Sequence, residues 1–151
     1  MWSTNYAPKP VKRRYIKKSN GKLRPLGIPA IMDRIIQECL RIVIEPIAEA
    51  KFYPQSYGFR PFRATSHAIK DVISLINIKT LNKPVYAIEG DIKGYFDNID
   101  HRILLKKLWK IGIHDKRVLV IISAMLKAGY VEKNTMFETE TGTVQGGLCK
   151  A

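Results

Sequence analysis

The chain has 151 residues, of which 46% are apolar, enough for one compact domain or a compact piece of a larger protein. Twenty-six Lys and Arg against thirteen Asp and Glu give a net charge of +13 at pH 7 and a pI near 9.9; this excess favours a polyanionic partner, a property that a basic ribosome-associated protein or a binder of anionic membranes would share. Cys39 and Cys149 have no His or further Cys at ligand spacing, which argues against a metal cluster, and no apolar run reaches signal-peptide or bilayer length, so a cytoplasmic protein with reduced thiols and no membrane partner is expected.

The positive charge is concentrated at the amino end. Lys9, Lys12, Arg13, Arg14, Lys17, Lys18, Lys22 and Arg24 all precede Asp33, the first acidic residue, which makes this the expected phosphate-binding region, with Lys12, Arg13 and Arg14 at its centre. Residues 1–11, with Pro8 and Pro10, read as an extended or poorly ordered arm. RRYIKK, SNG and KLRPLGIP read as two short strands about an Asn20-Gly21 turn, because Asn-Gly is a strong hairpin signal. From Ala30 to Ala50 the apolar residues recur at helical spacing around Pro46, which fits two consecutive helices or one kinked helix.

An aromatic and Gly-containing loop follows between Pro54 and Pro61, then a helical pattern from Ala64 to Ile78 and a polar turn at Asn82, Lys83 and Pro84. Val85, Ala87 and Ile88 have the character of a buried strand that ends at Asp91, with Gly90 and Gly94 leaving room on either side. Residues 103–111 and 114–128 read as amphipathic helices, the second with Asp115 near its start. Short strand-like pieces lie around Tyr130 and from Met136 to Glu140. Strands and helices do not alternate as regular βαβ units, so the fold class is α+β.

Four strings in this order can carry chemistry. Asp91, in DIKGYFDNI, offers the hard oxygen that Mg²⁺ prefers, although taken alone an Asp there reads as a strand-end or turn carboxylate. Tyr95 and Phe96 follow it, and two such rings can equally pack beneath a sheet; Asp97 and Asp100 suit helix capping. Lys18 and Arg24, with Lys22 between them, lie on opposite arms of the hairpin, where they could fold over a triphosphate or form a solvated basic surface that binds RNA backbone. In QSYGFRPFRATSHAI, Tyr57 and Phe59 can stack or pack, and Arg60 and Arg63 can reach phosphates or pair with acids. The fourth string, GTVQGG over 142–147, is a Gly-rich turn around Gln145. His67, His101 and His114 are scattered and read as structural or capping residues.

Together these strings resemble the fingers and palm of a reverse transcriptase of the group II intron (maturase) family, from about residue 15 to residue 148. The resemblance implies an α+β fold with a small antiparallel sheet and packed helices: an arm at 1–11, fingers at 12–84 and an incomplete palm at 85–151. It implies that Asp91 and the backbone carbonyl of Ile92 bind Mg²⁺ and that Phe96, or Tyr95, lies under the incoming sugar and disfavours a 2′-hydroxyl. Lys18 and Arg24 would grip a deoxynucleotide triphosphate, the segment carrying Arg60 and Arg63 would follow the template, and Gln145 would line the base pocket. Val144 stands where the family usually has Pro, a modest loosening of the turn. The implied partners are RNA, as template or intron, and a primer strand.

After QGG the family continues to a hairpin with two adjacent Asp residues, whereas this sequence continues LCKA. The expectation is therefore a fragment or relic of an RNA-directed DNA polymerase, inactive alone and open to completion by another polypeptide segment. A non-catalytic, maturase-like RNA-binding module is the alternative, and a basic protein with accidental matches is the third reading.

Overall fold

The computed structural model describes residues 6–17, 19, 21–79 and 86–143. The basic hairpin forms as its turn chemistry implies. β1 (Val11–Lys17) pairs antiparallel with β2 (Leu23–Ile28), and Gly21 adopts φ 76°, a left-handed backbone that glycine takes without a Cβ clash. Asn20 lies outside the described residues. Pro25 sits on β2, an edge strand, where its missing N–H does not interrupt a ladder.

β3 (Tyr130–Glu132) and β4 (Thr135–Phe137) form a second hairpin around Lys133 and Asn134, both at positive φ (47° and 65°), the geometry that a two-residue turn requires. The sheet order is β2-β1-β3-β4, and β1 runs parallel to β3 through Val11–Tyr130 and Lys12–Val131. The sheet is thus mixed rather than antiparallel as expected. Local turns make the two outer pairs antiparallel, whereas β1 and β3 are joined through the whole helical region, a long crossover that allows a parallel pair.

α1 (Ile31–Glu49) is one helix that keeps Pro46 within its last turn, which settles the choice between one helix and two. Asp33 in its first turn is buried, where a carboxylate is favoured by the amino end of a helix. It fastens the arm: the Tyr6 hydroxyl donates to Oδ1 at 2.5 Å and the Lys9 backbone N–H donates to Oδ2 at 3.1 Å. The described part of the arm is therefore anchored to α1. Burial and the Asp33 carboxylate together push the Tyr6 phenol well above its ordinary pKa.

α2 spans Thr65–Lys79, α3 His101–Ile111 and α4 Lys116–Lys127. Asp100 caps α3 by accepting from the backbone N–H groups of Arg102 and Ile103 at 2.7 and 3.0 Å, and Gly112 ends it at φ 119°. Asp115 caps α4 through the Arg117 N–H at 2.8 Å and also pairs with the Arg117 guanidinium at 2.7 Å.

The strand expected before Asp91 does not form among the described residues of this run, which begin at Tyr86. Residues 86–92 have no regular structure and are exposed, with Tyr86 at 86% and Ile88 at 99%. An apolar run becomes a strand only beside a partner that satisfies its backbone, and the described sheet ends at β2 and β4 without reaching this segment. Apolar residues elsewhere are also open, including Ile35 and Val43 on α1 and Val72 on α2. Between α1 and the pair α3 and α4 lies an open apolar cavity of about 430 Å³, lined by Leu40, Ile44, Phe52, Leu108, Met125 and other side chains.

Candidate nucleic-acid and nucleotide site

The hairpin divides the basic run between two faces. Successive side chains along a strand point to opposite sides, so Lys12, Arg14 and Ile16 share one face of β1, while Val11, Arg13 and Tyr15 share the other. The register places Arg24 opposite Ile16 and Leu26 opposite Arg14, which brings Arg24 onto the face of Lys12 and Arg14. Arg13 goes elsewhere: its guanidinium lies 3.3 Å from the centre of the Tyr130 ring and 3.9 Å from Glu132. Tyr15, on the same side, donates to both Glu132 oxygens at 3.0 and 3.1 Å, which holds its phenol above the usual pKa. The single patch of Lys12, Arg13 and Arg14 expected from the linear run is thus split by strand alternation. Lys18 lies outside the described residues.

In the QSYGFRP segment the two arginines have separate tasks. Arg60 is 6% exposed at its side chain; its Nε donates to Glu49 at 2.9 and 3.0 Å, and Nη2 approaches Glu49 Oε1 at 2.5 Å. Its Nη1 donates to the backbone carbonyls of Tyr53 and Ser56 at 2.7 and 2.9 Å. Arg60 thus fastens the loop to the end of α1 by pairing with an acid, the second of its two expected roles, and a guanidinium with its donors so engaged has little left to offer a phosphate. The same contact holds the Glu49 carboxyl below its ordinary pKa. Arg63 remains exposed, 5.8 Å from the Tyr57 ring centre, and the Tyr57 hydroxyl donates to Asp71.

The third region joins two distant strings. After Asp91, Gly94 takes φ 61° and its carbonyl accepts from the Asp97 N–H at 3.1 Å and the Asn98 side chain at 2.9 Å, closing a 3-10 turn over Phe96–Asn98. The Gly142 N–H donates to Ile99 at 2.8 Å, and the Thr143 N–H to the Phe96 carbonyl at 2.7 Å. Buried His101, the first residue of α3, meets the Gly142 carbonyl through Nε2 at 2.7 Å. Asp100 and Thr141 add a bridge between the same strands of chain. The start of the Gly-rich string is thus docked on the turn that follows Asp91. Gln145, Gly146 and Gly147 lie outside the described residues.

Within this region Tyr95 and Phe96 make an edge-to-face pair at 5.4 Å, and Phe96 is 37% exposed. Asp91 and Ile92 are exposed, and Asp91 has no hydrogen bond or ion pair among the described residues. The anchoring carboxylates Asp33, Glu49 and Glu132 belong to none of the four strings, and only the pairing of Arg60 with some acid was expected. Their only signal was being rare acids set among many bases. His101, expected to be structural or capping, is buried and bonded to Gly142.

The family profile described as "Reverse transcriptase (RNA-dependent DNA polymerase)" matches residues 16–149. "Protein YkfC" of Escherichia coli (strain K12) is 42% identical over 146 residues, covering 97% of this chain and 38% of that protein. "Group II intron-encoded protein LtrA" of Lactococcus lactis subsp. cremoris is 44% identical over 144 residues, 95% of this chain and 23% of that protein. "Nuclear intron maturase 1, mitochondrial" of Arabidopsis thaliana is 30% identical over 112 residues, 72% of this chain and 15% of that protein. The chain belongs to the reverse transcriptase family, in its group II intron and maturase branch. It spans well under half the length of these relatives.

Proposed function

We propose that this chain is the nucleotide- and template-facing part of a group II intron reverse transcriptase, with a fingers-like region at 12–84 and a palm-like region from 85 onward. The docking of Thr143 on Phe96 carries the reading, since it joins the Asp91 string to the Gly-rich string across more than forty residues of sequence. Asp91 would be the metal carboxylate, with the Ile92 carbonyl beside it. Phe96 or Tyr95 would contact the sugar, Lys18 and Arg24 the triphosphate, Gln145 the base pair, and Lys12, Arg14 and Arg63 nucleic-acid phosphates.

The donor set suits Mg²⁺ in kind. Asp91 is an exposed carboxylate with no competing partner among the described residues, and Mg²⁺ is commonly held by one or two carboxylates together with water and substrate phosphates. No cluster of three His, Cys, Asp or Glu residues gathers among the described residues, and Asp91 with the Ile92 carbonyl would be part of a site. When bound there, Mg²⁺ would stabilise charge on the attacking and leaving oxygens of phosphoryl transfer. The chain's own residues would orient nucleotide and template around it.

A maturase-like RNA-binding role without chemistry is the second reading. It is favoured by the basic face of Lys12, Arg14 and Arg24. Both readings require RNA binding. Fluorescence anisotropy with a structured RNA, titrated with salt, should show tight binding that weakens steeply as salt rises. Binding no stronger than that of an unrelated protein of equal charge would reject both.

A further inference from the structure

Phe62 is 99% exposed and has a φ of 59°. A bulky residue in left-handed backbone is an outlier, and such a conformation persists only where its surroundings impose it. Here Arg60 does so, buried against Glu49 and tied to the carbonyls of Tyr53 and Ser56, while the Arg63 N–H closes back on the Arg60 carbonyl at 3.3 Å. Phe59 shares the left-handed backbone at φ 57° and is 67% exposed, at the edge of the apolar cavity beside α1. Phe62 is not among the residues lining that cavity and makes no ring contact among the described residues. The loop is fastened at its base and holds out Phe62, the most exposed of its aromatic residues.

Arg63 is adjacent in sequence and exposed, and Glu49 at the base of the loop is paired with Arg60. We infer that Phe62 is a stacking platform for an unpaired base of single-stranded RNA, with Arg63 taking a neighbouring phosphate. An aromatic ring beside a cation suits this ligand, because every base presents a π face and every linkage a negative charge. The inference rests on the RNA-binding reading above and deepens it, adding to the QSYGFRPFR string a base contact at Phe62 beside the phosphate contact at Arg63.

The test uses the 151-residue chain and a single-stranded RNA carrying 2-aminopurine at several positions. Stacking on wild-type protein should change the fluorescence of at least one position. Phe62→Gly, which suits the left-handed backbone and should leave the melting temperature unchanged or higher, should abolish that change and weaken binding about tenfold. The slope of log affinity against log salt should stay the same, because every phosphate remains neutralised as before. Phe62→Trp should restore both signals. Equal affinity and fluorescence for Phe62→Gly would overturn the inference while leaving RNA binding intact, as would a loss matched by a shallower salt slope. Failure of the wild-type chain to bind this RNA and structured RNA alike would remove the underlying reading and the inference with it.

Discussion

The backbone N–H of Thr143 donates to the carbonyl of Phe96 at 2.7 Å, so two strings that are far apart in sequence share one turn. Gly142 makes this approach possible. Its φ is 83°, and a Cβ placed on it would lie 2.7 Å from the Asp97 carbonyl oxygen, with backbone rather than a flexible side chain in the way. Gly142→Ala should therefore lower stability by roughly 1–3 kcal/mol through strain and loss of the docking bonds. Urea unfolding monitored by circular dichroism would measure it, and an unchanged midpoint would show that the docking is not required.

Arg60 should behave as a structural residue. Arg60→Met removes the partner of Glu49 and leaves the Tyr53 and Ser56 carbonyls without their donor, and should lower the unfolding midpoint measured by circular dichroism. Arg60→Lys should lose much of the same stability, since an ammonium cannot bridge three acceptors as the planar fork does. RNA affinity measured well below the melting temperature should fall little, whereas a stable Arg60→Met variant with a shallower salt slope would return Arg60 to the phosphate-binding set.

Helix capping sets a pH dependence. Backbone N–H groups, that of Ile103 foremost, hold the Asp100 carboxyl below its ordinary pKa, and the Arg117 side chain and backbone N–H bring Asp115 down to about 2. Because both folded values are depressed, their stabilisation is complete above the unfolded carboxylate pKa of about 3.9 and is lost as pH falls through the folded values. Helicity of α3 and α4 should decline between about pH 4 and pH 2. In the Asp100→Asn and Asp115→Asn double variant this part of the acid transition should shrink, because an amide caps without titrating.

Polymerase activity should be absent from the 151 residues by themselves. Asp91 is the sole carboxylate proposed for metal, and the sequence contains no adjacent Asp pair. No extension of a primed RNA template with Mg²⁺ and deoxynucleotides is expected. Where a longer polypeptide of this kind is active, Asp91→Asn should abolish extension and leave RNA binding in place, since an amide keeps the shape but loses the charge. Extension by the 151 residues that disappears in Asp91→Ala would contradict the incomplete-site reading.

Local signals were legible and long-range ones were not. Asn20-Gly21 announced the hairpin, helical periodicity announced α1 to α4, and Asp115 stood near a helix start as expected. Each of these is decided within a few residues. The parallel pairing of β1 with β3 depends on residues more than a hundred positions apart, and no local pattern encodes it. Val85, Ala87 and Ile88 have strand chemistry, yet the described part of this run lacks a neighbouring strand. Arg60 and Arg63 look alike in sequence; only the position of Glu49 at the end of α1 separates a fastener from an exposed cation.

Strand alternation yields the sharpest distinction among the basic residues. Lys12 and Arg14 share a face with Arg24, whereas Arg13 stacks on Tyr130 beside Glu132. Replacing Lys12 and Arg14 by Ala should flatten the plot of log RNA affinity against log salt by roughly 0.7–0.9 for each phosphate that is no longer neutralised. Both side chains are exposed, so stability should change by no more than about 0.5 kcal/mol. Arg13→Ala should do the reverse, removing a cation–π interaction worth about 0.5–1 kcal/mol and leaving the salt slope in place. Salt titrations and thermal melts on the same three proteins separate the effects. An equally flattened slope for Arg13→Ala would mean that the arginine leaves Tyr130 for phosphate when RNA binds.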